Sequence, residues 1–156
     1  MKFLYTDIDY VLSLGSEINP KQTKWGLVHR MNKKAVDVYN DILLETGAFP
    51  IISSDWRNEY TLQELQEIFT EMANIIIAPI DVTPFLHGAT PLTLNEFRAK
   101  EIIKHVLANH PENWVAIDDM NLSEWIDEKH FVHLPRFMEG VKQTGKKQEI
   151  IKKLNI

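Results

Sequence analysis

Phe3-Leu4-Tyr5-Thr6-Asp7-Ile8-Asp9 is a short apolar run that ends on two acids separated by one residue. A run this short and this continuously apolar predicts a strand buried on both faces, with the acids at its carboxyl end. The same pattern returns twice. Phe49-Pro50-Ile51-Ile52 ends on Ser53-Ser54, and Trp114-Val115-Ala116-Ile117 ends on Asp118-Asp119. Ile75-Ile76-Ile77-Ala78 reads as a further strand, and Phe131-Val132 as a fifth.

Helical patterns lie between these runs. Asn32 is placed to cap a helix reaching about Glu45, with Val36, Tyr39, Ile42 and Leu43 on one face and Gly47 as the stop. Thr61 with Glu64 forms a capping-box pattern ahead of Leu62, Leu65, Ile68 and Phe69. Thr93 with Glu96, or Asn95 alone, opens another helix, with Ile102, Ile103, Val106 and Leu107 as its apolar stripe. Residues 12–31 hold Gly15, Pro20 and Gly26 without periodicity and read as a loop or flap. Alternating strands and helices predict a three-layer α/β/α sandwich around a mainly parallel, Rossmann-like sheet. In such a sheet, ligands sit at the carboxyl ends of the strands, so Asp7, Asp9, Ser53, Ser54, Asp118 and Asp119 are expected at one edge.

Composition narrows the function classes. The chain has 156 residues, a size suited to a single domain over 1–156, and 44% of them are hydrophobic. No apolar run approaches the roughly 20 residues that span a bilayer, and the N-terminal run meets two acids by Asp9. No membrane association and a cytoplasmic setting are therefore expected, and the absence of cysteine agrees. The net charge of -5 does not suit a protein that grips nucleic acid through a broad basic surface. The lysines at 142, 146, 147, 152 and 153 read as a solvated helix face.

The acids suggest the chemistry. Three or four carboxylates at one sheet edge repel one another, and a cation relieves that repulsion. Oxygen ligands without cysteine or clustered histidine select magnesium over zinc. A magnesium ion beside a carboxylate suits phosphoryl transfer: one carboxylate attacks phosphorus, and a second handles protons. Ser53 or Ser54, with Arg98 or Lys100, are available to hold the phosphate oxygens. Strand alternation lets only one serine face the site. Ser53 is preferred because it follows the apolar run directly, whereas counting back from Trp56 favours Ser54. On a helical wheel, Arg98 and Lys100 flank the stripe at similar angles. Trp56 reads as packing under the site. Arg57 is placed either to bind a second phosphate or to pair with an acid such as Asp55. His87-Gly88 is a candidate pocket lining, Asp127 a surface acid, and the six histidines show no metal-binding spacing.

Taken in order, Phe3 to Leu12, Pro50 to Ser54, Arg98 or Lys100, and Val115 to Asp119 resemble the four motifs of the haloacid-dehalogenase (HAD) superfamily. Ser53-Ser54-Asp55-Trp56-Arg57, Thr83-Pro84, Arg98-x-x-Glu101-Ile102 and Ala116-Ile117-Asp118-Asp119 are similar to a capless subgroup that includes HAD domains of RNA-repair multidomain proteins. The resemblance implies Asp7 as nucleophile and Asp9 as acid/base. It implies Mg2+ held by Asp7, the Asp9 backbone carbonyl, and Asp118 or Asp119, and it favours Arg98 as the phosphate cation. Tyr10 departs from the pattern, which usually has glycine or another small residue there; it would narrow the entrance or stack on a substrate ring. Intervals of about forty residues between motifs leave no room for a large cap domain. The implied activity is a phosphomonoesterase with an aspartyl-phosphate intermediate, acting on a small phosphorylated molecule, a nucleotide or a nucleic-acid end. A catalytically silent module of the same fold and a phosphotransferase are the rival expectations. Neither the oligomeric state nor the physiological substrate follows from these residues.

Overall fold

A computed structural model describes residues 1–15, 20–86 and 92–156. Its chain order is β1 (Lys2–Thr6), β2 (Lys21–Thr23), β3 (Gly26–Val28), α1 (Lys33–Thr46), β4 (Phe49–Ile52), α2 (Leu62–Glu67), β5 (Asp81–Val82), α3 (Leu94–Asn109), β6 (Asn113–Asp118), β7 (Phe131–His133) and α4 (Lys146–Leu154). Five strands form one sheet in the order β5-β4-β1-β6-β7, and every neighbouring pair is parallel. The sheet is covered on both faces, as its continuously apolar strands require. On one face Leu4, Ile52, Val115 and Ile117 pack with residues of α1, α2 and α4. On the other, Phe3, Tyr5, Ile51, Trp114 and Ala116 pack with Ala99 and Ile102 of α3 and with Leu122 and Ile126. The fold is the expected three-layer α/β sandwich. Among the described residues nothing forms a separate cap.

Helix boundaries follow the predicted caps. The Asn32 side chain accepts from the amide of Ala35 at the start of α1, and Gly47 closes that helix at φ 69°. Only a residue tolerant of the left-handed region fits there. Thr61 and Glu64 make both bonds of a capping box on α2, and the Thr93 side chain accepts from Glu96 N on α3.

Three expectations need correction. Ile75-Ile76-Ile77-Ala78 is not a strand. Asn74 turns the chain at φ 59°, Ile75 N donates to Phe69 O at 2.8 Å, and Ile76 N donates to Asn40 Oδ1 at 3.0 Å. With these amides taken and Pro79 lacking one, pairing with β4 starts only at Ile80, whose N–H donates to Pro50 O at 3.1 Å. The paired strand is Asp81–Val82. The stripe on α3 is also different: Leu107 is exposed, and the helix buries Arg98, Ala99, Glu101, Ile102 and His105. Finally, the flap contains the antiparallel hairpin β2–β3. It is fastened to the α2 side by Trp25 Nε1, which donates to Glu67 Oε2 at 3.3 Å, and by Tyr60 Oη, which donates to Leu27 O at 3.0 Å. Residues 16–19 of the flap lie outside the described residues.

Register builds the edge. Thr6 stands beside Ile52 on one side and Ile117 on the other. The next residues along these three strands, Asp7, Ser53 and Asp118, therefore stand at the same level of the carboxyl edge. Asp7 N donates to Ile117 O at 3.3 Å, and Ser53 N donates to Thr6 O at 3.0 Å.

Candidate active site

After β1 the chain makes one tight turn in which Ile8 O accepts from the amides of Val11, Leu12 and Ser13 at 3.2, 2.9 and 2.9 Å. Ile8 is buried, and the acids on either side of it stand at the carboxyl edge of the sheet. Tyr10 sits in this turn at φ 63°. That left-handed conformation favours glycine, which accounts for the small residue usual at this place in the resembling motif. The Tyr10 ring lies outward, edge-on to Phe137 at 5.9 Å between centroids. Asp9, Tyr10, Ser13, Leu14 and His29 line a shallow depression there.

Arg98 reaches down from α3 into the centre of the cluster. Its Nη1 donates to Asp118 Oδ2 at 2.9 Å and to Ser53 O at 2.9 Å, and it stands 3.4 Å from Asp7 Oδ1. Its Nη2 lies 3.5 Å from Asp55 Oδ1. Asp7 Oδ1 also accepts from Ile8 N at 2.9 Å, and Asp118 Oδ1 accepts from Met120 N at 2.9 Å. One oxygen each from Asp7, Asp118 and Asp119 lies within 4.8 Å of the others.

The electrostatics follow from that crowding. Burial, then the charge of Asp118, raises the Asp7 carboxyl well above its ordinary value, against the pull of Arg98. Burial pushes Asp118 up to about 7, while Arg98 and the Met120 amide work in the opposite direction. For Arg98, burial disfavours the charge, but the surrounding carboxylates outweigh it and hold its pKa above the ordinary value. Asp7 and Asp118 thus share one guanidinium with Asp55 and Ser53 O, and Asp119 adds a third carboxylate beside them. The donor set is all oxygen, and neither histidine nor cysteine joins it. Such a set fits a divalent hard cation, which would supply the missing positive charge.

The two serines part company. Ser54 Oγ accepts from Trp56 N at 3.3 Å and opens the short helical turn Asp55–Asn58. Ser53 Oγ is buried and has no hydrogen-bond partner among the described residues. The structure separates Arg98 from Lys100 as well: Lys100 is half exposed and pairs with Glu96 at 3.0 Å, outside the cluster. Asp9 is not one of the three clustered acids; its Oδ1 accepts from Trp56 Nε1 at 3.0 Å.

Trp56 is therefore more than packing. It is buried and holds a site carboxylate, and the available signal was that a buried tryptophan N–H finds an acceptor. Arg57 pairs with an acid, as one of the two expectations had it, and that acid is Glu101 rather than Asp55. Its Nη2 meets Glu101 Oε2 at 2.7 Å, with both side chains 3% exposed. Glu101 also accepts from Leu86 N at 2.9 Å. Sequence reasoning assigned Glu101 no role; its spacing of three from Arg98 was the signal. Asp127 caps a surface turn by accepting from Lys129 N at 3.0 Å. His87-Gly88 lies outside the described residues.

A parallel α/β sheet with this acid–arginine cluster at its carboxyl edge defines a domain of the phosphohydrolase type. Over residues 3–144 the chain matches the family described as the HAD domain in Swiss Army Knife RNA repair proteins, and it belongs to that family. The chain is also 27% identical over 121 residues to a subunit of the aspartyl/glutamyl-tRNA(Asn/Gln) amidotransferase of Rhodococcus jostii, a match covering 69% of this chain and 24% of that protein. It thus spans about a quarter of the length of that curated relative. No solved structure matches it. No helix among the described residues is long and apolar enough to cross a membrane.

Proposed function

We propose that the chain is a magnesium-dependent phosphomonoesterase that works through an aspartyl-phosphate on Asp7 and acts on nucleotides or nucleic-acid ends. The observation that carries this is Arg98 Nη1 standing 2.9 Å from Asp118 and 3.4 Å from Asp7, in a buried cluster whose carboxylates outnumber its cation. Asp7, Asp118 and Asp119 would hold the metal, with the Asp9 carbonyl as a further ligand. Bound there, magnesium would neutralise phosphate charge and favour in-line attack.

The residues then divide the work. Arg98 and the Ser53 hydroxyl bind phosphate oxygens, and the lack of a partner on Ser53 Oγ leaves its hydrogen free to donate. A carboxylate oxygen of Asp7 attacks phosphorus, and the bond to the leaving oxygen breaks. Asp9, held by Trp56, gives that oxygen a proton. Asp9 next takes a proton from water, the water oxygen attacks phosphorus, and the bond to Asp7 breaks to release phosphate. Lys100 has no part in this.

The substrate class rests on three supports. Among the described residues no separate cap domain covers the edge, which favours a bulky phosphorylated end. The family's description names RNA repair proteins, and the Rhodococcus relative's name refers to tRNA. A phosphatase screen over nucleotides, sugar phosphates and phosphorylated oligonucleotides, with magnesium or with a chelator, tests the proposal. Magnesium-dependent release of phosphate is expected. No turnover of any phosphate monoester with magnesium present would identify a silent module instead.

A further inference from the structure

A cavity of about 260 Å³ opens beside the phosphate cluster. It shares Arg98 and Asp55 with that cluster, and Met120 in its wall directly follows Asp119. Phe85, Leu86, Leu94 and Phe97 supply the rest of its apolar surface. Phe85 and Leu94 are 52% and 79% exposed, two large apolar side chains at one rim. The volume lies below the roughly 300 Å³ at which sites for drug-sized ligands begin, so it suits one ring system.

Charge decides what kind of group fits. Arg57 is engaged by Glu101 at 2.7 Å, and Arg98 by Asp118 and Asp7. Asp55 stands on the rim with its side chain 75% exposed. Among the described lining residues no cation is left for a second phosphate, and the rim acid repels one. This lining favours an uncharged group. The Arg57 guanidinium lies over the Phe85 ring at 5.4 Å. Unpaired bases are recognised by stacking on aromatic rings and guanidinium planes, and the Asp55 carboxylate can accept from an exocyclic amino group at the base edge.

We propose that this cavity binds the nucleobase of the nucleotide whose phosphate is removed. The inference rests on the phosphomonoesterase function proposed above and names the part of the substrate that is selected. Two measurements keep the two ideas apart. Turnover of para-nitrophenyl phosphate by the wild-type protein with magnesium reports the phosphatase chemistry alone. The affinity ratio between adenosine 5′-monophosphate and ribose 5-phosphate, measured by calorimetry with magnesium on an Asp9→Asn protein, reports the cavity.

Adenosine 5′-monophosphate should bind at least tenfold tighter than ribose 5-phosphate. Adding Phe85→Ala should cut the nucleotide affinity by roughly 5- to 150-fold, the range for losing one base–aromatic stack, and bring the ratio toward one. Phe85→Trp should restore it, which separates stacking from a folding defect. Equal affinities with para-nitrophenyl phosphate turnover intact would overturn the nucleobase assignment while the phosphatase proposal stands. So would tight binding of phosphotyrosine, with the same dependence on Phe85 and no advantage for nucleotides. No turnover and no binding of any phosphate would overturn both.

Discussion

One face of the sheet is held by hydrocarbon, and the other mixes hydrocarbon with buried charge. Under α1, α2 and α4, Leu4, Ile52, Val115 and Ile117 meet Ile42, Leu43, Leu65, Phe69, Ile150 and Leu154. The polar pair there is closed on itself, with Thr6 Oγ1 and Tyr39 Oη 2.6 Å apart. Under α3, the buried positions alternate between apolar side chains and Arg98, Glu101 and His105. Arg98 serves the acids at the carboxyl edge, Glu101 holds Arg57, and His105 lies between Tyr5 Oη at 2.8 Å and Asp81 Oδ2 at 2.7 Å. Buried ion pairs are seldom the most stabilising choice for a core, because desolvation offsets their attraction. The α1 face is thus the more apolar of the two, while the α3 face gives up some stability to seat Arg98 beside Asp7.

If that division holds, variants on the two faces should fail in different ways. Asp7→Asn should lower turnover by roughly 10⁴-fold or more, as loss of a nucleophile does, and leave no phosphorylated protein in rapid-quench mass spectrometry. Full labelling in that variant, or label on Asp9, would reverse the assigned roles. Ile42→Ala, on the opposite face, should cost about 2–5 kcal/mol of stability in chemical denaturation. The turnover of each molecule that stays folded should hold. A selective loss of turnover there would break the contrast.

The acid cluster makes the metal-free protein sensitive to pH. Asp118 titrates near 3.8 when unfolded and at about 7 when folded, so the folded state binds that proton more tightly. The stability this contributes is fully present below pH 3.8 and is lost as pH rises through 7. Denaturation in a chelator should show the fall, and Asp118→Asn should flatten it. Magnesium should reverse it by about 2.7 kcal/mol at a hundred times its dissociation constant. An identical pH slope in wild type and Asp118→Asn would contradict the assignment.

Trp56→Phe keeps the ring in place and removes the bond to Asp9. A hydrogen bond to a charged group is worth about 1.5–3 kcal/mol, so turnover on a poor leaving group should drop by roughly 10- to 100-fold. On an activated aryl phosphate the drop should be smaller, because that leaving group hardly needs a proton. An equal loss on both substrates would assign Trp56 to packing alone. The smallest effect is expected from Lys100→Gln, which removes a surface pair worth about 0.3–0.5 kcal/mol. Its turnover should stay within about twofold of wild type, and a large loss would displace Arg98 as the phosphate cation.

Much of this was legible in local sequence. β1, β4 and β6 are short apolar runs with polar ends, and the caps Asn32, Gly47, Thr61 and Thr93 act within four residues of themselves. Signals of that kind survive because their partners are close in the chain. They also brought Asp7, Ser53, Asp118 and Asp119 to one edge, since a parallel register converts equal strand endings into neighbours. The failures came where partners are distant. Ile75-Ile76-Ile77 has strand composition, but its amides are taken by Phe69 and Asn40, and no local pattern announces that.

The alternation of strands and helices, and the order in which acids and hydroxyls arrive at the sheet edge, are written in the linear chain. Which member of each pair is used depends on tertiary structure. Ser53 and Ser54 are chemically equal until the turn at Asp55 ties up one hydroxyl. Arg98 and Lys100 are equal on a helical wheel until α3 is laid on the sheet. Its rotation then buries Arg98 among carboxylates and leaves Lys100 to Glu96 and water. Helical periodicity reports which residues share a face, but how the helix is turned on the sheet is set by the sum of contacts from β1, β4 and β6. Those contacts exist only once the chain has folded.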